Sequence, residues 1–310
     1  MTQWHQQESK VLILLPVYNG GRYLQSQLDS ILAQSIQNSL IVCRDDGSSD
    51  DSAAILEQYA QQWPHRFRIV KAQVGNLGVS ANVALLMQSV LENELLSSTS
   101  PPYIALSDQD DCWYPQKLAR CLALMHSEEQ KNPELPVLIH SDLRVVAEDG
   151  TLIASSFAGY QALKPLHTSF ASQLVCNTIT GCTTLFNTAL LRKALPIPPQ
   201  AIMHDWWLGL VAIAFGRACY IDAPLLDYRQ HGANTVGAKE YQTGGHFFKR
   251  LLDVSKNPIF QSTAQQAQVF ASQHSAALSA KQQLILRAGK ALAIDNPVLQ
   301  KSIYRVLRSL

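Results

Sequence analysis

The chain predicts an α/β fold in which a mostly parallel sheet is flanked by helices. Two observations carry this. Residues 11–15 (Val-Leu-Ile-Leu-Leu), 40–43 (Leu-Ile-Val-Cys) and 103–106 (Tyr-Ile-Ala-Leu) are short apolar runs, the pattern of strands buried on both faces. Between them the apolar residues change to helical spacing, and strand–helix–strand alternation implies a parallel sheet joined by crossover helices.

After the first strand, Leu24, Leu28, Ile31 and Leu32 fall at i, i+4, i+7 and i+8, an amphipathic helix. The strand at 40–43 leads to Ser49 or Asp50 as a helix cap, then to Ile55, Leu56, Tyr59 and Trp63. Residues 67–70 read as a third strand. Residues 79–94 read as a helix with Val83, Leu86, Met87 and Val90 on one side, ended by the breaker cluster 97–102. Beyond the strand at 103–106, Pro115 suits the first turn of a helix that points Leu118, Leu122 and Met125 inward. The second half is less regular. Residues 137–140 and 218–221 read as strands, 203–215 as a helix, and the pattern from Gly244 onward is helical.

Composition narrows the function. With 310 residues, 47% hydrophobic and 16% charged, the chain can bury a sizeable core, which excludes a disordered or low-complexity protein. A net charge of +1 argues against a nucleic-acid partner. That charge is uneven. Residues 239–310 hold ten Lys and Arg against three acids, +7, which leaves −6 on residues 1–238. The six cysteines form no C-x-x-C pair, so free thiols in a reducing compartment are expected, without a disulfide framework or structural zinc. Residues 1–10 are polar and no stretch approaches the ~20 apolar residues of a membrane span, so the expectation is a soluble cytoplasmic chain.

In parallel sheets ligands bind at the carboxyl ends of the strands. Three segments fall there: Pro16-Val-Tyr18-Asn19, Asp45-Asp46-Gly-Ser-Ser-Asp50 and Ser107-Asp108-Gln-Asp110-Asp111. Carboxylates crowded at one sheet edge repel one another unless a cation or ligand donor offsets them. Asp108-x-Asp110-Asp111, directly after a buried strand, can turn oxygens towards a hard divalent cation that keeps positions open for phosphate, and the spacing does not fit a calcium loop. Asp46 can accept the imide N–H of uracil or thymine. Ser48, Ser49 and Asp50 also suit helix capping.

Taken in order, these segments with Asn76-Leu-Gly-Val-Ser-Ala-Asn82 resemble family 2 glycosyltransferases of the GT-A fold, over roughly residues 10–235. Thr180-Gly-Cys-Thr-Thr184, His204-Asp-Trp-Trp207 and Tyr228-Arg-Gln-His-Gly-Ala-Asn-Thr-Val-Gly237 look like the rhamnosyltransferase-type branch. The resemblance implies inverting transfer of a sugar from a nucleoside diphosphate to an acceptor hydroxyl. It implies Pro16, Tyr18 and Asp46 at the base and ribose, with Asn19 in the same loop. Asp108 then lies near ribose or diphosphate, and Asn76 and Asn82 line the nucleotide side. Asp110 is implied as the main ligand of Mg²⁺ or Mn²⁺, with Asp111 beside it. His231 is either a further metal ligand or a hydrogen-bonded loop residue.

Asp205 is the implied general base, because His204-Asp205 stands where the family usually has an acidic pair. Replacement of the first acid by His204 leaves that residue's role open, and Asp205 also suits a helix N-cap. Trp206 and Trp207 point about 100° apart on a helix, so one indole is expected against the sugar and the other in the core. Arg229 is placed to meet a diphosphate oxygen, and Gly181 to admit close backbone approach.

Rival readings lack their signatures. A sugar nucleotidyltransferase needs a Gly-rich, basic phosphate loop after the first strand, and residues 16–22 do not fit it. Neither G-x-G-x-x-G nor G-x-x-x-x-G-K-[ST] is present. A non-catalytic nucleotide-sugar binder predicts a lost base or metal pair, yet Asp110, Asp111 and Asp205 are all present. The expected organisation is a GT-A catalytic domain over 1–238 and a helical, basic extension over 239–310. The expected donor is dTDP-L-rhamnose, with a UDP-hexose or UDP-N-acetylhexosamine as the alternative, since uracil and thymine offer the same N3–H. The expected acceptor is a surface polysaccharide or lipopolysaccharide glycan, free or lipid-linked. Phe247, Phe248, Leu251 and Leu252 beside Lys249 and Arg250 suit three readings: contact with the inner face of an anionic membrane, a solvated helical cap, or a homodimer surface.

Overall fold

The computed structural model describes residues 10–71, 75–92, 101–232 and 258–310. The 247–252 patch, the expected boundary at 238/239, residues 233–237 and most of the 97–102 cluster lie outside the described residues.

The first half follows the expected alternation: β1 (Val11–Val17), α1 (Gly21–Leu32), β2 (Ser39–Asp45), α2 (Ser52–Gln62), β3 (Phe67–Ile69), α3 (Val79–Glu92) and β4 (Tyr103–Leu106). Then come β5 (Cys112–Trp113), α4 (Lys117–Glu129), β6 (Val137–Ala147), β7 (Leu152–Ala154), α5 (Phe170–Val175), β8 (Leu185–Phe186), α6 (Thr188–Ala194), α7 (His204–Phe215) and β9 (Arg217–Gln230). Helices α8 (Pro258–Gln273), α9 (Ala280–Lys290) and α10 (Pro297–Ser309) close the chain.

One sheet runs in the order β3-β2-β1-β4-β8-β6-β9-β5, with β7 on β6. Pairing is parallel from β3 through β4 and between β6 and β9. It is antiparallel at β4–β8, β6–β8, β6–β7 and β5–β9. The parallel expectation therefore holds across the first four strands, and the whole sheet is mixed. Strand β9 is long and its register against β6 shifts near Asp142. Its far end pairs with β5, Leu226 opposite Trp113 and Asp227 opposite Cys112, which carries residues 228–231 to the loop after β4.

The continuous apolar runs have their physical cause in two covered faces. In β1, Leu12 and Leu14 join one core with Val83, Leu86 and Met87 of α3 and Trp207 of α7. Val11, Ile13 and Leu15 join the other with Leu24 and Leu28 of α1, Leu56 of α2 and Leu122 of α4. The C-terminal helices share the first core. Phe270 of α8 meets Trp207 edge-on at 5.2 Å, stacks with Phe215 at 6.1 Å and lies 5.5 Å from Phe170.

Several local expectations shift. Helix α2 begins after Asp51 rather than Ser49 or Asp50, while Asp50 Oδ1 accepts from Ser52 N–H and Oγ. Pro115 precedes α4, whose cap is Gln116. Helix α7 is capped by Met203, which places Asp205 in its first turn rather than at the cap. All six cysteines are free. Among the described residues no helix is long and apolar enough to cross a membrane.

Candidate active site

A cavity of about 400 Å³ opens where β1, β2 and β4 end. Sheet topology gathers there segments far apart in sequence: the loops after the three strands, the start of α3, residues 180–181, the start of α7 and the end of β9.

At one end lie Pro16, Tyr18, Asp46, Asn76 and Asn82. Tyr18 is 48% exposed, so its ring can pack on a planar ligand. Asp46 is buried and its acceptor sites are occupied. It takes hydrogen bonds from Arg44, from Leu77 N–H (3.0 and 2.9 Å to its two oxygens) and from Gly78 N–H (2.8 Å). Arg44 also donates to Asn82 Oδ1 at 3.1 Å and to Gly75 O at 3.3 Å. Arg44 and Asp46 thus form a buried ion pair that pins the 75–78 loop. A pair satisfied in this way avoids the penalty of an isolated buried charge. Sequence reasoning missed Arg44, although an arginine that directly follows the apolar run 40–43 and stays buried in β2 was a signal.

The middle of the cavity carries Asp108, Gln109 and Asp110. Burial and the Asp110 and Asp205 charges push Asp108 up to about 7. Asp110 Oδ2 lies 2.8 Å from His231 Nε2. The His231 ring stacks on Tyr23 at 4.8 Å, and Tyr23 donates to Glu148 at 2.7 Å. Asp111 lies beneath, buried and away from the cavity lining. Neither of its oxygens has a hydrogen bond of good geometry. Burial, Asp108 and Asp110 push it well up, and the facing Cys182 thiol and Arg229 N–H pull it down less.

Asp108, Asp111 and Cys182 bring ligand atoms within 4.8 Å of one another. The buried Cys182 thiol is held well above its usual range by burial and these carboxylates, so it stays protonated and is a poor donor to a hard cation. On the cavity side, the carboxylates of Asp108 and Asp110 offer hard oxygen donors of the kind Mg²⁺ or Mn²⁺ takes, whereas Asp111 and His231, both expected as ligands, do not line the cavity, and His231 instead pairs with Asp110 Oδ2. Cys182 was not foreseen, because it stands about 70 residues from the acids in sequence and no local spacing announces it.

The far end is formed by Thr180, Gly181, Met203, His204 and Asp205. Asp205 Oδ1 accepts from Trp206 N–H at 2.6 Å and Asn177 Nδ2 at 3.1 Å, and Oδ2 accepts from Gly181 N–H at 3.0 Å. Burial raises its pKa, against opposing contributions from His204 and these hydrogen bonds. Burial lowers the pKa of His204, so its imidazole is neutral at pH 7. Ser80 Oγ lies 3.4 Å from His204 Nδ1 and accepts the His204 backbone N–H at 3.3 Å. A Cβ on Gly181 would stand 3.0 Å from His204 Nε2, so the glycine makes room for the imidazole.

Of the residues singled out in the sequence, Pro16, Tyr18, Asp46, Asn76, Asn82, Asp108, Asp110, Gly181 and Asp205 line one cavity. Others do not. Trp206 and Trp207 are both buried, their indole N–H groups donating to Gln173 O and Ala194 O, so neither indole forms the expected wall. Asn19 faces away, its Oδ1 accepting from Ser49 N–H at 2.8 Å. Arg229 donates to Asp110 O at 3.2 Å and Glu148 O at 2.8 Å, bracing the loop from behind. Gln109, Val79, Met203, His204 and Tyr228 line the cavity without having been assigned to it.

Residues 12–133 match the family model described as Glycosyl transferase family 2, the span that holds β1 to α4. An uncharacterized protein of Mycobacterium bovis is 27% identical over 248 residues, 76% of this chain and 65% of the relative. An uncharacterized glycosyltransferase of Nostoc sp. is 27% identical over 233 residues, 73% of this chain and 66% of the relative. The chain thus spans just under two thirds of the length of these curated relatives. Among solved structures, Staphylococcus aureus TarS 1-349 in complex with UDP-GlcNAc superposes with a TM-score of 0.56 at 12% identity, over 97% of this chain and 92% of that one. Mannosyltransferase PcManGT from Pyrobaculum calidifontis, in complex with GDP-Man and Mn²⁺, gives 0.52 at 14% identity, over 97% and 85%. The fold is that of the GT-A glycosyltransferases.

Proposed function

We propose that the chain is an inverting glycosyltransferase that takes a sugar from a nucleoside diphosphate and passes it to an acceptor hydroxyl. The observation that carries this is the convergence of Asp108, Asp110 and Asp205 on a single cavity whose other end is lined by Tyr18, Asn76 and Asn82, where Asp46, its oxygens taken up by Arg44 and the 77–78 backbone, shapes the wall rather than accepting the base N–H as expected. Its ends suit the two ends of a nucleotide sugar: a planar base at Tyr18, and a reacting anomeric carbon near Asp205.

Asp205 is the general base. Its Oδ2 takes one backbone hydrogen bond and keeps acceptor capacity for the hydroxyl proton. A carboxylate whose pKa is raised by burial is the stronger base at neutral pH. The acceptor oxygen bonds to the anomeric carbon as the nucleoside diphosphate departs on the opposite side, and its proton goes to Asp205. His204, neutral and fixed beside Gly181, offers a hydrogen-bonding edge to the sugar. Asp110, steadied by its contact with His231, and Asp108 would hold Mg²⁺ or Mn²⁺, which when bound neutralises charge on the leaving diphosphate. The resemblance to the rhamnosyltransferase-type branch supports dTDP-L-rhamnose as donor and a surface glycan as acceptor. UDP-linked sugars are the alternative, favoured by the nucleotide in the TarS complex.

The test is a panel of dTDP-L-rhamnose, UDP-glucose, UDP-GlcNAc and GDP-mannose with Mn²⁺, read as release of nucleoside diphosphate. Turnover of dTDP-L-rhamnose with inverted anomeric configuration in the product is expected. Retained configuration would refute the single-displacement mechanism, and preference for a UDP donor would replace the rhamnosyl assignment.

A further inference from the structure

The loop after β1 meets the site largely through its backbone, and its position is set from two sides. On the β2 side, the N–H groups of Asn19, Gly20 and Gly21 donate to Ser48 Oγ, Ser52 Oγ and Asp50 Oδ2 at 2.8–2.9 Å. On the β4 side it is held by Gln109. Tyr18 N–H donates to Gln109 Oε1 at 2.8 Å, and Gln109 Nε2 donates to Tyr18 O at 3.0 Å. The carboxamide therefore pairs with the Tyr18 backbone much as a neighbouring strand would.

This contact leaves no space at residue 20. A Cβ on Gly20 would stand 2.4 Å from Gln109 Cδ and Oε1. Gly20 has φ of −101°, open to any residue, so what its lack of a side chain provides is room for the carboxamide. Gln109 lies between Asp108 and Asp110 and lines the cavity with both. It is thus one rigid link between the loop that carries Tyr18 and the loop that carries the carboxylates.

We propose that Gln109 is a positioning residue that couples the nucleobase end of the cavity to its carboxylate end. The inference rests on the nucleotide-sugar reading of the site. The base and diphosphate of a nucleotide are a fixed distance apart, so both ends bind together only when the two loops hold one spacing. With Gln109 in place, a cation at the carboxylates strengthens nucleotide binding through a base loop already in register. Without its two hydrogen bonds, each end still binds but the ends no longer reinforce one another, which is a loss of coupling free energy.

The test is calorimetric titration of dTDP and UDP, with and without Mn²⁺, into wild-type protein, Gln109→Met and Gly20→Ala. Gln109→Met keeps the side chain's length and removes its hydrogen bonds. Gly20→Ala keeps Gln109 but crowds it out, so it reads the same contact should Gln109→Met fail to fold. In wild type, Mn²⁺ is expected to tighten nucleotide binding about tenfold or more, and in either variant by less than about threefold. Gly20→Ala is expected to add nothing in the Gln109→Met background. Full Mn²⁺ tightening in both variants would overturn the proposal. So would a uniform loss of affinity that leaves the Mn²⁺ ratio intact, the mark of a merely structural side chain. Wild-type protein that binds nucleotide with no Mn²⁺ effect overturns the coupling but not the nucleotide reading. Wild-type protein that binds neither nucleotide overturns both.

Discussion

Asp205→Asn separates proton acceptance from geometry. The carboxylate accepts three hydrogen bonds, from Trp206 N–H and Asn177 on Oδ1 and from Gly181 N–H on Oδ2. An asparagine oxygen at the Oδ1 position keeps the first two, and its NH₂ then faces the Gly181 N–H, which loses one bond at about 1 kcal/mol. The neutral amide also escapes the burial penalty that raises the Asp205 pKa, which offsets that loss. Net stability should change by no more than about 1 kcal/mol, roughly 2 °C in Tm for a chain of this size. Removing a general base slows turnover about 10²–10⁴-fold, equivalent to about 3–5 kcal/mol in the barrier. The assay is release of nucleoside diphosphate at saturating donor, with water as the acceptor so that no glycan need be identified, alongside calorimetric donor affinity. The expected result is a kcat at least ~100-fold lower, with donor Kd within about threefold. A folded variant that keeps more than about a third of wild-type turnover would refute the assignment of the base.

Other perturbations follow from the same geometry. Arg44→Met strands the buried Asp46 carboxylate and should cost about 3 kcal/mol in urea unfolding, with Asp46→Asn restoring part of it in the double variant; equal stability of wild type and Arg44→Met would contradict the ion-pair account. Gly181→Ala drives a Cβ towards His204 and Asp205, so kcat should fall about tenfold with donor affinity unchanged, and a loss confined to affinity would move Gly181 to the donor side. Burial holds His140 down to about 3 and His274 to about 4, whereas both titrate near 6.5 when unfolded. The unfolded chain therefore binds protons first as pH falls. Stability present above about pH 6.5 should be lost between there and about pH 3, by up to roughly 1.4 kcal/mol per pH unit and histidine. His140→Gln should flatten that slope in chemical unfolding, and an unchanged slope would clear His140.

The sheet's first four strands were legible because each is buried on both faces and so carries an uninterrupted apolar run, and β4 ends where the run 103–106 ends. Strands β5, β7 and β8 were not, because two or three residues carry no period to detect. The carboxylates were legible because their place at strand ends is set by sequence order alone. What pairs with them was not. Cys182 beneath Asp111 and the 75–78 backbone on Asp46 depend on how residues 181–183 and the 75–78 loop fold back onto the strand ends, whereas His231 was named for the metal site and the structure places it against Asp110. The two tryptophans show the limit of helical geometry. Angular separation assigned one indole to the sugar, but α7 is covered on several sides by α5, α6 and α8, and both rings pack inward.

The central claim is that Asp110 and its neighbours form the metal-dependent end of a nucleotide site. Its most direct test is titration of dTDP and UDP into wild type and Asp110→Ala, with Mn²⁺ and with chelator. Nucleotide binding that tightens with Mn²⁺ in wild type and loses that response in Asp110→Ala is the predicted result. A folded wild-type protein that binds neither nucleotide, or an Asp110→Ala variant with an undiminished Mn²⁺ response, would contradict it.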